Sequence, residues 1–505
     1  MQIIKNYRMN ITKKLSFIDF NSLKTILFFG LVIRLIAAIF SQGYGMHDDH
    51  FLIIEASTSW VDGYDYNGWL PWSDGNRGVP EGHSFTYVGL NYFFFYFIKM
   101  LGFSDPKTLM LLNRLVHAVF SLLVVYFGFK ITEKIASRKN AVTVGWLLAL
   151  ISVMPFLAVR NLVELTSIPF LMWGVWLIVN KGTSKALFYA GMLIGIAVSF
   201  RYQIAVFTLG IGFYYLIKKE IKALLIFGFG SFVTFFITQG VVDYFIWGYP
   251  FAEFIGYATY NMVEGTKYLP NSNYFMYFWV LMGVLLFPLG LLAMIGFFRS
   301  AKQHLIIFIP TLAFLLFHSF YPNRQERFIL TILPFFIILG VIGYEKLKEK
   351  EFWVKLWKGS WVAFWCLNIP LLIALTFHYS KKSRVEAMYS LYENQMENEH
   401  ILLEGTRSTK PSMMPKFYAD SWYCSFVERV EPSQSLTVHE NQNYDYVFFF
   451  GKKDIGIRTK AYLDLYPNLT LVNKCEPSFI DVVARVLNPR NSNQYIEVWK
   501  TNSNN

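Results

Sequence analysis

Cysteine is nearly absent from this chain, with Cys366, Cys424 and Cys475 the only three in 505 residues. That excludes a disulfide framework, and no CxxC pair offers a structural metal site. Charge is scarce as well. Asp, Glu, Lys and Arg make up 16% of the residues, too few to solvate the three or four soluble domains that this length would allow. There is no internal repeat, no low-complexity tract, no Walker motif, and no DxD motif in the apolar region.

What is abundant is apolar: 54% hydrophobic and 19% aromatic, including 50 Phe and 31 Tyr. Aromatic rings bury much apolar area while keeping a polar tip wet, so this composition suits lipid-facing and interfacial surfaces. The formal charge of +12 is not a nucleic-acid signal, because Lys and Arg fall mainly in short loops between apolar runs, as in cytoplasmic loops. The basic start (Lys5, Arg8, Lys13, Lys14, Lys24) followed by apolar residues to Phe40 resembles a signal sequence. Arg34 interrupts it and no small-x-small cleavage site follows, so it reads as an uncleaved first span.

A crossing helix needs about 20 apolar residues. Eleven runs qualify, near 24–41, 108–130, 142–158, 162–180, 185–200, 203–217, 222–246, 275–298, 304–320, 328–345 and 358–377. The two that flank Arg201 are short, which suits a cavity or a thinned region. Residues 85–101 are taken as interfacial or re-entrant. That choice keeps the basic loops at Lys130–Lys139, Lys181–Lys185, Lys218–Lys222, Arg299–His304 and Glu345–Lys358 on the cytoplasmic side. The fold class is then a polytopic α-helical membrane protein. Residues 1–379 form its transmembrane part with a large first outer loop at 42–107, and residues 380–505 form a small α/β domain on the non-cytoplasmic side.

The same topology gathers His47, Asp48, Asp49, His50, Arg160, Asn161, Arg201 and the block from Asn323 to Arg327 at the outer face. Ionisable groups at membrane depth are costly and usually functional. Paired acids directly after a span are held at a fixed depth, where burial and a like-charged neighbour raise one pKa. Such a carboxylate can take a proton from an attacking hydroxyl; the bland alternative is a solvated acidic loop. A metal held by His47, Asp48, Asp49, His50 and His83 is conceivable, but the spacing matches no standard site, and neither metal nor cofactor is expected. Arg324 and Arg327 offer planar forks for an anion such as a lipid phosphate, with Glu326 orienting one of them; the alternative is an anchor for anionic head groups. Arg201 is either a snorkelling residue or a second phosphate ligand. Arg160 and Glu164, four apart, either pair with each other or join the site. His83, Ser84 and Tyr87 open the interfacial segment and are further lining candidates.

Met46-His-Asp-Asp-His-Phe51 resembles the HPDE-type motif that ends the first span in family 22 mannosyltransferases of the GT-C superfamily. On that alignment Asp49 takes the position of the catalytic base, with Asp48 as the alternative. Arg160-Asn-Leu-Val-Glu164 is similar to the family's Arg-Thr-Leu-Ser-Asn-x-x-Glu segment, shortened. Val242-Asp-Tyr-Phe-Ile-Trp-Gly-Tyr249, Tyr260-Asn261 and the Gly265–Tyr277 stretch resemble its Asp-x-x-Phe-Tyr-Gly and Phe-Asn-x-x-x-Gly pattern, which brings in Asp243 and Asn261. His318-Ser-Phe-Tyr-Pro-Asn-Arg-Gln-Glu-Arg-Phe328 resembles its His-Ser-x-x-Pro-His-Lys-Glu-Glu-Arg-Phe block. The motifs cover about residues 24–345 and leave the C-terminal domain outside.

The resemblance implies an inverting glycosyltransferase using a polyprenyl- or dolichyl-phosphate sugar, mannose by family habit, and a glycan or glycolipid acceptor. It implies a multi-pass protein of the bacterial inner membrane or the endoplasmic reticulum, with the site on the non-cytoplasmic face. His47, His83, Glu164, Asp243 and Asn261 are its substrate-binding candidates, and Arg324, Arg327, Glu326, Arg201 and Arg160 its phosphate-binding ones. The rival reading is a transporter or lipid flippase, which predicts midplane charges, paired broken helices and pseudo-symmetry, none of them evident here. A non-catalytic membrane subunit is the other rival.

Overall fold

The computed structural model describes residues 19–75, 78–265, 273–395, 399–430, 444–488 and 493–501. The basic stretch before Asp19 and most of the Gly265–Tyr277 segment lie outside the described residues.

Six described helices are long and apolar enough to cross a membrane: α1 (Leu23–Phe40), Pro106–Ile135, Val163–Lys181, Ile221–Trp247, Glu326–Glu349 and Glu351–Thr376. A seventh forms if Met276–Val284 and Leu289–Ser300, bent by 116°, count as one crossing. The helices Ser184–Phe200, Ile204–Ile217 and Leu305–Phe320 are apolar but shorter. Six or seven described helices thus have crossing length where eleven spans were expected, and three of the expected runs form shorter apolar helices. The 142–158 run breaks at Ile151–Ser152 into Arg138–Leu150 and Val153–Ala158.

A break inside a bundle leaves backbone groups that need partners, and two polar residues within spans supply them. Arg34 of α1, fully buried, donates to the carbonyls of Leu148 and Ala149 at 3.1 and 3.0 Å. Asn368 accepts from the Ser152 N–H and donates to the Leu150 carbonyl, both at 2.8 Å. The arginine that interrupts the first span is thus a helix cap for another span. Elsewhere glycine lets backbones touch: a Cβ on Gly296 would meet the Gly340 carbonyl oxygen at 2.0 Å, the close approach that small residues allow between membrane helices.

The bundle has two chemically different ends. Arg138 donates to the Asn21 carbonyl beside the start of α1, Lys139 pairs with Glu345 at 2.9 Å, and Lys346 contacts Gln303, so three basic loops meet there. The acids Asp48 and Asp49 follow the far end of α1, about 27 Å away for an 18-residue helix. Phe85–Met100, with 16 residues, falls short of a crossing and lies against Glu55–Val61.

After Thr376 the chain forms a five-stranded mixed sheet: β1 (His400–Glu404), β2 (Ser425–Arg429), β3 (Tyr446–Phe450), β4 (Thr470–Cys475) and β5 (Ile496–Lys500), in the order β2-β1-β3-β5-β4. β1 runs parallel to β2 and β3, and β5 antiparallel to β3 and β4. β3 is buried along its whole length, which fits its unbroken aromatic run. This unit is not a separate lobe. Tyr44, Phe51, Ile54 and Phe95 share one apolar core with Val385, Met388, Ile401 and Phe417, and the Ser380 N–H donates to the Gln42 carbonyl at 3.1 Å.

All three cysteines are free thiols. Cys424 directly precedes β2 at one sheet edge and Cys475 ends β4 at the other. Four strand spacings separate the edges by roughly 19 Å, far beyond the ~7 Å Cα limit for a bridge. Both thiols are expected to alkylate on unfolding without prior reduction, as read by mass spectrometry; a linked 424–475 peptide pair would contradict the sheet order.

Candidate active site

The chain leaves α1 at Ser41, turns through Gly45, and starts a short helix at His47, so Asp48 and Asp49 lie in a first turn. Unpaired N–H groups there favour anions. Asp49 folds back on that turn: its Oδ1 accepts the Met46 N–H at 2.7 Å and its Oδ2 the Gly45 N–H at 3.0 Å. It is 3% exposed. Burial pushes its carboxyl above the usual range, opposed by Lys381, His50 and Arg160.

Asp48, with 44% of its side chain exposed, contacts Arg327 Nη2. Burial works against its charge, yet hydrogen bonding from His47 and the Arg327 guanidinium hold its carboxyl well below the usual range. The helix then widens into a π-turn over His50–Ile54, a feature that often marks functional sites. This turn drives His50 inward between the Tyr44 and Tyr418 rings, with Glu55 Oε1 at 3.3 Å.

Beside Asp48 two arginines share one further carboxylate. Glu164 opens the helix Val163–Lys181, Arg201 ends Ser184–Phe200, and Arg327 lies in a 3-10 turn, Glu326–Ile332. Glu164 Oε1 stands 2.9 Å from Arg201 Nη1 and 3.6 Å from Arg327 Nε, and Arg327 Nε also donates to Gln325 Oε1 at 2.9 Å. Both guanidinium groups lie over the Phe328 ring, at 4.8 and 5.4 Å. Arg201 Nε and Nη2 are buried with no hydrogen-bond partner among the described residues. Buried donors left unpaired are costly unless a ligand completes them.

These groups face a cavity of about 1080 Å³, whose lining lies wholly between residues 48 and 328. Asp48, Asp49, Glu164, Arg201 and Arg327 line it, with His83, Ser84, Tyr257, Asn261 and Tyr321. One wall is fastened by a residue that the sequence reading passed over. Glu253, at the start of the helix Ala252–Val263, accepts the Gly82 and His83 N–H groups at 2.7 and 2.9 Å and the Trp247 indole N–H at 2.8 Å. Burial pushes its carboxyl up to about 7 against the pull of these donors. An acid inside Phe251-Ala-Glu-Phe254 was the available signal. Glu253→Ala strands three donors at ~1–3 kcal/mol for each that stays buried, so thermal unfolding in detergent is expected to show a loss of about 3 kcal/mol. An unchanged melting curve would mean that the wall does not depend on it.

Several expected site residues lie elsewhere. Arg160 does not pair with Glu164 and does not line the cavity; it donates to the Ser41 carbonyl at 2.7 Å and the Gln42 carbonyl at 3.2 Å, capping the end of α1. Glu326 is exposed, and Asp48, Glu164 and Gln325 hold Arg327 in its place. Arg324 donates to the Tyr321 carbonyl at 2.9 Å and stacks over Tyr274, outside the cavity lining. Asp243 lies behind the wall, accepting from Gln239 at 2.7 Å and the Glu253 N–H at 3.0 Å. His47 turns toward the sheet unit, 3.0 Å from the Met413 sulfur. Tyr87 joins His117 at 2.7 Å rather than the lining. His83 and Asn261 do line the cavity, His83 stacked on Trp69 at 4.1 Å and Asn261 accepting from the Tyr321 hydroxyl.

Solved structures of GT-C glycosyltransferases share this fold. ArnT from Cupriavidus metallidurans bound to undecaprenyl phosphate aligns with a TM-score of 0.60 at 12% identity, covering 95% of this chain and 98% of that one. Its apo state gives 0.59 at 12% identity, over 93% and 96%. The Archaeoglobus fulgidus oligosaccharyltransferase in complex with Zn and sulfate gives 0.52 at 12% identity, over 87% and 69%. The sequence profile of the Alg9-like mannosyltransferase family matches residues 25–407, and the chain belongs to that family. No curated protein matches it in sequence. Both likenesses run past residue 345, where the recognisable motifs end, and at 95% coverage the ArnT fold takes in most of the sheet unit.

Proposed function

We propose that this glycosyltransferase moves a hexose, mannose by family habit, from a polyprenyl-phosphate donor to a hydroxyl of a glycan or glycolipid, with inversion. The observation that carries this reading is one cavity lined by the acids Asp48 and Asp49 and by two arginines joined through Glu164, with Asp48 paired to one of them. The unpaired Arg201 donors suit the phosphate of the donor. That ArnT, a protein of the same fold, holds undecaprenyl phosphate supports a polyprenyl phosphate here.

In this mechanism the acceptor oxygen attacks the anomeric carbon as the bond from that carbon to the phosphate oxygen breaks. The acceptor proton passes to a carboxylate, and the polyprenyl phosphate leaves with one more negative charge, held by Arg201 and Arg327. A phosphate leaving group needs no strong general acid. One displacement inverts the anomeric centre.

The motif alignment favours Asp49 as the base; the geometry favours Asp48. Both acids line the cavity, but Asp49 spends both oxygens on its own turn, whereas Asp48 pairs with the phosphate-side arginine. Donor phosphate competing for Arg327 loosens its hold on Asp48 and raises that carboxyl toward the range of a working base. Donor binding thereby arms the base.

The basic loops gathered at the other end of the bundle support a cytoplasmic position for that end and a non-cytoplasmic one for the cavity. The test is transfer of labelled hexose from a polyprenyl-phosphate hexose by the purified protein in nanodiscs, with the product anomer read by NMR. An inverted product linked to a glycolipid is expected. A retained anomer, or no transfer from dolichyl- or undecaprenyl-phosphate hexoses with glycan and glycolipid acceptors, would overturn the reading.

A further inference from the structure

The helix Phe479–Leu487 of the sheet unit is built inside out. Phe479, Val482, Val483, Val486 and Leu487 recur at i, i+3, i+4, i+7 and i+8, one stripe of an α-helix, and this stripe is the exposed one, with Phe479, Val486 and Leu487 each at least 77% exposed. The buried side is polar. Asp481, 3% exposed, accepts from Asn493 at 3.1 Å and stands 3.9 Å from His378 Nε2. A helix on a water-facing surface has the opposite arrangement.

Its place in the fold says what covers the stripe. His378 comes two residues after the last crossing helix, Glu351–Thr376, and its Nδ1 lies 3.3 Å from the Ser478 hydroxyl that caps the inverted helix. The helix therefore starts within about one helix diameter, some 10 Å, of the end of a span. That is the depth of the headgroup region, about 5–8 Å thick on each side of the hydrocarbon core. The adjoining ends of the first and last spans already present an apolar belt at this level, with the Phe40 and Phe377 rings 5.1 Å apart and about half exposed. The stripe continues that belt.

We propose that Phe479–Leu487 lies in the boundary between lipid headgroups and acyl chains and seats the sheet unit on the bilayer, as interfacial amphipathic helices do. The proposal rests on the membrane reading alone and is independent of which sugar is moved.

The test places a nitroxide at Val486→Cys or Phe479→Cys in the full-length protein carrying Cys366→Ser, with Lys460→Cys as a reference on an exposed helix face. Each variant is first shown to melt as its parent does, then reconstituted in nanodiscs of phosphatidylethanolamine and phosphatidylglycerol. Collisions with oxygen are expected to exceed those with a water-soluble nickel chelate at residues 479 and 486, and to fall below them at residue 460. Nickel-dominated relaxation at residues 479 and 486 would place the stripe in water and overturn the proposal. Slow motion with neither reagent reaching the label would show a protein surface over the stripe, a second copy included, and would overturn it equally. Because depth is read rather than transfer, failure here leaves the catalytic reading standing, and the reverse.

Discussion

Asp48→Asn is expected to lower the rate of transfer by about 10²- to 10⁴-fold, the usual worth of a positioned base, while insertion and melting stay close to wild type. Stability should change little because nearly half of the Asp48 side chain is exposed and Arg327 keeps Glu164 and Gln325 as partners. Asp49→Asn has a different signature. It puts an amide where two backbone N–H groups need an acceptor, so its loss of activity should come with a lower melting temperature. Full activity in Asp48→Asn beside an inert but stably folded Asp49→Asn would return the base to Asp49, as the motif alignment has it. The pH dependence has a definite sign. The folded Asp48 carboxyl lies below its unfolded value of roughly 4, so the small, solvent-screened contribution of its ion pair is present above that pH and is lost as pH falls through the folded value.

The second large effect is expected of Arg327→Lys, with kcat/KM for the lipid-phosphate donor falling by about 10²- to 10³-fold, the cost of losing one well-placed donor to a developing anion. Lysine keeps the charge but loses the planar fork that now spans Asp48, Glu164 and Gln325. The apparent KM for the acceptor should hardly move if, as proposed, the arginine serves the leaving group. Equal changes in both constants would assign Arg327 a structural task, and a matching fall in melting temperature would say the same.

The sequence made the two poles of this site legible for a physical reason. Acids beside a span and a charged block leading into another apolar run are expensive places for charge, and the structure puts Asp48, Glu164, Arg201 and Arg327 around one cavity. Side-chain direction was not legible. Glu326 and Arg327 adjoin in sequence, but in a 3-10 turn neighbours point about 120° apart, and one is exposed while the other is buried. Arg160 belongs to a motif yet serves the Ser41 and Gln42 carbonyls at the end of α1, acceptors that lie within reach of its guanidinium. Hydropathy likewise found the apolar runs but not where they break. The break at Ile151–Ser152 is set by Arg34 and Asn368, more than 100 and 200 residues away along the chain. Glu253 was missed for the same reason: a lone acid among aromatics announces a buried partner without saying which.

The setting of the acids also has an order in time. Asp48 and Asp49 leave the ribosome early, but Lys381, whose ammonium donates to the Tyr44 and Gly45 carbonyls beneath them, comes 336 residues after Gly45, and the Phe417 N–H that binds Glu55 comes 362 residues after it. A nascent chain therefore carries these acids into the bundle long before the contacts from Lys381 and Phe417 complete their setting. A chain stopped at Tyr379 is expected to insert and to show no transfer in the nanodisc assay. Activity becomes a certificate of completed synthesis, and a prematurely terminated copy would occupy the bilayer without spending lipid-linked sugar.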